Sequence, residues 1–185
     1  MPFDGRRVLT LESRKAPEIA AMIEREGGIP ISAPSVRERP KHDPQAQQFL
    51  SKLEDGAFDM VILMTGVGLG FLRDALGSEK LANALSKVTV VARGPKPIVV
   101  LRQMGLTPQI AIGEPNTWKE IIAAVAARPE RRIAVQEYGR PNPAFYEALT
   151  NLNAQVEAVA PYRWELPEDI APLEKRRHSN PQSPM

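Results

Sequence analysis

The sequence predicts an α/β chain: a parallel sheet with helices on both faces, joined to a strand–helix–strand piece of a second, similar unit. Three observations predict it. From residue 45 to 160, short β-rich runs alternate with helical stretches, the pattern of parallel strands joined by crossover helices. Two runs, "MVILM" at 60–64 and "VTVVA" at 88–92, are continuously apolar, as strands covered on both faces are. An earlier strand–helix–strand set lies across a proline-rich segment from this block.

Residues 7–12 read as a strand and 17–26 as a helix ended by Gly27-Gly28. Residues 29–33 form the next strand. Pro34, Pro40 and Pro44 punctuate the polar "PSVRERPKHDP", a linker or domain crossing. The main block then runs helix 45–54, strand 60–64, helices 69–76 and 79–86, strand 88–92, helix 97–104, strand 109–112, helix 117–127, strand 132–136, helix 143–152 and strand 155–160. Beyond it, Leu166, Ile170 and Leu173 have the spacing to begin a further element. Residues 174–185, "EKRRHSNPQSPM", carry no apolar residue before the terminal Met and read as disordered.

Apolar residues make up 43% of the 185 residues, enough for a sizeable core. The net charge is only +2, and no Lys/Arg stripe with interleaved aromatics occurs, which argues against a nucleic-acid partner. Cysteine is absent, excluding disulfides, thiolate catalysis and zinc–thiolate sites. No leader-like N-terminus and no membrane-spanning apolar run is read, so a soluble, cytoplasmic protein is expected. His42 and His178 are the only histidines, both in polar, proline-flanked stretches, and neither is read as a metal ligand or catalyst.

The stretch "MTGVGLGFLRDAL", 64–76, ends a strand and opens a helix with glycines at 66, 68 and 70. Free backbone N–H groups and the positive helix end there favour an anion. A dinucleotide fingerprint does not fit: position 71 is Phe, and Arg93, not an acid, follows the next strand. A P-loop does not fit either, because no Gly-Lys-Ser/Thr follows. Two further turns, "VARGPKP" with Gly94 and Lys96 and "VQEYGRPNP" with Gly139 and Arg140, place glycine and a cation after strands. In an open parallel sheet these three turns gather along the carboxyl edge, where ligands bind. The competing reading is a set of tight turns whose glycines only make backbone room.

The ordered segments of residues 7–169 resemble uroporphyrinogen-III synthase. "VLTLESRKAPEIAAMIEREGGIPISAPSV" looks like that family's opening strand, Arg-containing turn, helix and second strand. "FDMVILMTGVG" looks like its strand ending in Thr-Gly, and "VARGPKPIVVLRQMGLTP" like its Gly-Pro-Lys turn, helix and Gly-Leu stop. "IAVQEYGRPNPAFYEALTNLNAQVEAVAPYRWELPED" looks like its later strand, helix and strand running into a Tyr-containing return linker.

The resemblance implies two flavodoxin-like domains joined by a two-stranded linker. Residues 1–33 would open the first domain, 34–40 and 161–167 would be the linker strands, and 41–160 the second domain. It implies closure of hydroxymethylbilane to uroporphyrinogen III, with inversion of the last pyrrole ring and loss of water. No cofactor and no metal are expected, and the small polycarboxylate substrate is the only partner implied. A monomer is expected, with a dimer left open. Tyr162 matches the family's linker tyrosine, a weak general acid; packing at a domain edge is the competing reading. The substrate-binding residues implied are Arg14, Thr65, Gly66, Val67, Gly68, Gly94, Lys96, Gly139 and Arg140. A plain salt bridge is the competing reading for Arg14.

Two departures accompany the resemblance. Pro97 stands where many members have a helix-start Thr, which removes a donor. The chain is also short, and reads as a C-terminally truncated member through a frameshift, an early stop or fragmentation. Val8, Leu9, Leu11, Ile19, Ile23 and Ile31 would then lack neighbours. The alternative function is a non-catalytic flavodoxin-like tetrapyrrole-binding or regulatory module.

Overall fold

The computed structural model describes residues 2–41 and 44–177. His42 and His178 fall outside them. Contacts divide the chain into two units, residues 1–39 with 164–185, and 40–163.

The larger unit is built on a five-stranded parallel sheet. Its strands are β4 (Met60–Leu63), β5 (Thr89–Ala92), β6 (Ile110–Ala111), β7 (Arg132–Gln136) and β8 (Gln155–Val159), in the order β6-β5-β4-β7-β8. All four residues of β4 are buried, as its unbroken apolar sequence predicts. Strand periodicity then divides the core into two layers. Val61 and Leu63 face one cluster, with Phe49 and Leu53 of α2 (Gln45–Glu54), Leu69 and Leu72 of α3 (Gly66–Leu76), Leu81 of α4 (Ser78–Leu85) and Leu101 of α5 (Pro95–Gln103). Met60 and Ile62 face the other, with Ile121 of α6 (Trp118–Val125) and Phe145 and Leu149 of α7 (Pro143–Asn151). Each fully buried leucine or phenylalanine contributes about 1.5–3 kcal/mol. This is the expected doubly wound α/β sheet.

From β4 the chain steps outward through β5 to β6, then crosses back to lay β7 on the other side of β4. Within the unit the order is 3-2-1-4-5, one strand different from the flavodoxin order 2-1-3-4-5. The topological switch point therefore lies between β4 and β7.

Local capping sets where the helices start. Asn142 Oδ1 accepts the Phe145 N–H at 3.2 Å, with Pro143 in the first turn of α7. Thr117 and Glu120 form a capping box on α6.

The smaller unit holds β1 (Arg7–Thr10), α1 (Ala16–Arg25) and β2 (Ile29–Ser32). The two strands are parallel, with Leu9 opposite Ile31. Ile23 of α1 is buried, whereas Leu9, Leu11 and Ile29 are 47%, 50% and 52% exposed, so part of this unit's apolar surface is uncovered. Strands β3 (Arg37–Pro40) and β9 (Tyr162–Glu165) pair as a two-stranded sheet. Arg37 and Arg39 both donate to Glu168 at 2.6 Å, and both stand 3.7 Å from Glu165. A final helix, α8 (Ala171–Arg177), runs past residue 174. This corrects the expectation of a disordered tail from 174: Asp169 accepts the Ala171 N–H at 2.9 Å, and the Leu-Glu-Lys-Arg-Arg run has high helix propensity. Residues 178–185 lie outside the described set. Among the described residues no helix is long and apolar enough to cross a membrane.

Candidate functional site at the carboxyl edge of the sheet

The carboxyl ends of β4, β5 and β7 bring three glycine-bearing turns to one edge, as the sequence order predicts. Their chemistry differs from the expectation in instructive ways.

Thr65 caps α3. Its Oγ1 accepts the Gly68 N–H at 3.0 Å, and its own N–H donates to Gln136 Oε1 at 3.1 Å. Gly66 and Gly68 are therefore helical, in the first turn of α3, and not in a preceding loop. The Gly68 amide is already used. Among the described residues, the N–H groups of Gly66 and Val67 are left as the open donors of this helix start.

Both glycines also have packing reasons. A Cβ on Gly68 would overlap the Gln136 amide, which is 1% exposed and fills the switch point between β4 and β7. A Cβ on Gly66 would come within 2.7 Å of the Lys96 carbonyl oxygen. The backbone-room reading thus accounts for both. Gly94 caps α5 with φ of +81°, a left-handed conformation that glycine adopts readily, and it stands against Asn116. Lys96 is exposed in the first turn of α5, and Pro97 is buried there.

The third turn follows β7. Gly139 has φ of +66°, and the Arg140 N–H closes onto the Tyr138 carbonyl at 2.7 Å, leaving Arg140 exposed. Beside it Glu137 is buried, and its Oε1 accepts the Tyr146 hydroxyl at 2.5 Å. Burial, then this carboxylate, raises the Tyr146 phenol well above its ordinary range.

Tyr162 is 2% exposed, with its ring centroid 5.7 Å from that of Phe71 in α3. This gives it a packing role. Arg14 belongs to the smaller unit, where its Nε lies 3.3 Å from Glu38. The salt-bridge reading of Arg14 is what the structure displays.

Two residues at this edge were not singled out as site residues from the sequence. Gln136 follows the buried apolar run Ile133–Val135 of β7, and a polar residue in that place was the available signal. Arg93 directly follows β5; its Nε donates to the Met64 carbonyl at 3.0 Å, and its guanidinium carbon sits 5.2 Å from the Tyr138 ring centre.

A cavity of about 220 Å³ lies at the opposite edge, lined by Lys52, Phe58, Arg132 and Glu157 among others. Its cations are committed to acids: Lys52 to Glu157 at 2.7 Å, and Arg132 to Asp59. This makes it the poorer anion site.

The family model for uroporphyrinogen-III synthase HemD matches residues 17–180. A mutant uroporphyrinogen III synthase from the extremely thermophilic bacterium Thermus thermophilus superposes with a TM-score of 0.67 at 25% identity, over 88% of this chain and 64% of that one. The wild-type enzyme from the same bacterium gives 0.64 at 27% identity, over 95% and 67%. A Bacillus subtilis protein, uncharacterized protein YjjA, is 29% identical over 171 residues, 89% of this chain and 63% of the relative. The chain thus spans about two thirds of the length of these relatives. With the matched residues running through both units, the chain belongs to the uroporphyrinogen-III synthase family.

Proposed function

We propose that this protein acts on hydroxymethylbilane, closing it to uroporphyrinogen III with inversion of the last pyrrole ring and release of water, as a cofactor-free cytoplasmic lyase. The observation that carries the reading is the family match over residues 17–180. The carboxyl edge of the five-stranded sheet is the proposed substrate face. The open amides of Gly66 and Val67, with Thr65 and Gly68 shaping that turn, suit a polycarboxylate, as do Gly94, Lys96, Gly139 and Arg140. The uncatalysed substrate closes on its own to the uninverted isomer, so the protein's work is chiefly orientation of a flexible chain. Tyr162 is proposed as the acid at the leaving hydroxyl, in addition to its packing on Phe71. Arg14 is proposed as a further substrate contact, reached by exchange of its Glu38 partner.

A second reading is a non-catalytic tetrapyrrole-binding module. The packing of the Tyr162 ring on Phe71 favours it, because that contact accounts for the residue without a part in turnover.

Incubation with freshly made hydroxymethylbilane, followed by oxidation and separation of isomers, distinguishes the two. Type III product above the enzyme-free background supports the synthase. Type I alone, from protein shown to be folded, rejects turnover and leaves the binding module.

A further inference from the structure

Arg93 sits where three strand ends meet. Its backbone N–H still pairs with Leu63 of β4 at 3.0 Å. Its side chain then runs across the end of β4, held by the Met64 carbonyl at Nε, to the face of Tyr138 beyond β7. It therefore lies over the switch point between β4 and β7, the crevice where open α/β sheets bind ligands. Below it, Gln136 closes the crevice against deeper entry.

The guanidinium is oriented on one side only. One carbonyl and one aromatic face fix its plane, and the side chain is partly buried. Among the described residues its two terminal nitrogens have no acceptor, and no carboxylate pairs with it. The other partly buried arginines of this unit contrast with it: Arg73 is engaged with Asp74 and Gln103, Arg128 with Glu130, and Arg131 with the carbonyls of Arg128 and Glu130. A planar fork with both terminal nitrogens uncommitted matches a carboxylate in a bidentate pair.

We infer that Arg93 is a substrate-specificity residue that takes one side-chain carboxylate of the tetrapyrrole through its two terminal nitrogens, with the Met64 carbonyl and the Tyr138 ring holding the fork in place. This rests on the reading of the carboxyl edge as a polycarboxylate site.

The test uses the full chain and two stable probes, uroporphyrin III, an octacarboxylate, and coproporphyrin III, a tetracarboxylate that lacks its acetate arms. Binding is read by fluorescence for the wild type, R93Q and R93K, each checked for a native circular dichroism spectrum and melting curve. The expected result is uroporphyrin binding weakened about tenfold or more in R93Q and by a smaller factor in R93K, which keeps the charge but not the fork. The preference for uroporphyrin over coproporphyrin shrinks in step. Equal uroporphyrin affinity in wild type and folded R93Q overturns the inference while leaving the edge site standing. Inorganic phosphate competing as strongly as uroporphyrin also overturns it, since the pocket would then take any anion. No porphyrin binding by the wild type overturns the edge reading itself, and the role of Arg93 with it.

Discussion

The Gln136 side-chain amide occupies the space that a Cβ on Gly68 would need. One polar side chain thereby explains a glycine in the first turn of a helix, where glycine otherwise weakens it. Gly68→Ala is expected to destabilise the protein by about 1–3 kcal/mol through overpacking. Gln136→Ala alone costs a similar amount, because the buried Thr65 N–H loses its acceptor. In the Gln136→Ala background the sign reverses. There Gly68→Ala becomes neutral or stabilising by up to about 1 kcal/mol, alanine being the better helix former. Urea unfolding of the four proteins measures this cycle, and an unchanged cost in the double variant contradicts the contact.

The half-buried Tyr146 and the buried Glu137 form a second hydrogen-bonded pair. Tyr146→Phe leaves the Glu137 carboxylate without that donor and is expected to cost about 1–3 kcal/mol. The phenol pKa is raised on folding, so its contribution is complete below the ordinary value of 10.0 and declines as pH rises above it. Thermal melts from neutral to strongly alkaline pH should show the wild type losing its advantage over the variant across that range.

Glu130 gives a separate acid limit. The Arg128 guanidinium, then the Thr89 hydroxyl, hold its carboxyl at about 2, below the ordinary 4.5. Because the folded value is the lower one, the stabilisation is complete above pH 4.5 and fades as pH falls towards 2. Denaturant unfolding of wild type and Glu130→Gln should differ most near neutral pH and converge across that window. A difference that does not change with pH contradicts the ion pair as its source.

Tyr162 has two proposed roles that separate by substitution. Tyr162→Phe keeps the ring on Phe71 and should leave the fold intact. If the hydroxyl is the acid, formation of the type III isomer falls about a hundredfold or more. Turnover close to wild type leaves packing as its role, and Tyr162→Ala then reports that packing as a loss of about 3 kcal/mol or more.

The alternation of strands and helices was legible because β4, β5 and β7 carry buried, β-branched runs that no exposed strand would need. Boundaries followed where a local signal existed, as at α2, whose predicted span of 45–54 is the observed one. The meaning of Gly66 and Gly68 was not legible, because their constraints come from Lys96 and Gln136, which are near only in the folded chain. Strands β3 and β9 have little apolar alternation. The linker strands expected at 34–40 and 161–167 rested on the family resemblance alone, the observed strands being Arg37–Pro40 and Tyr162–Glu165, and the Arg37–Arg39–Glu165–Glu168 cluster has no periodic signature. A further element was expected from the spacing of Leu166, Ile170 and Leu173, but its continuation past 174 in helix α8 was not, because those charged residues read as solvated chain, although they favour a helix once Asp169 takes the Ala171 N–H. At the candidate site, the three turns were singled out by their glycines, whereas Arg93 was read only as the absence of an acid. Its significance depends on Met64 and Tyr138, which lie on two other strand ends.

The carboxyl edge of the five-stranded sheet is the proposed seat of the polycarboxylate. Amide chemical-shift mapping during titration with uroporphyrin III tests it most directly. Saturable shifts concentrated at Gly66, Val67, Arg93 and Gly139 are the predicted result. Shifts gathered instead around Lys52, Arg132 and Glu157 at the opposite edge, or no saturable shift at all, would contradict it.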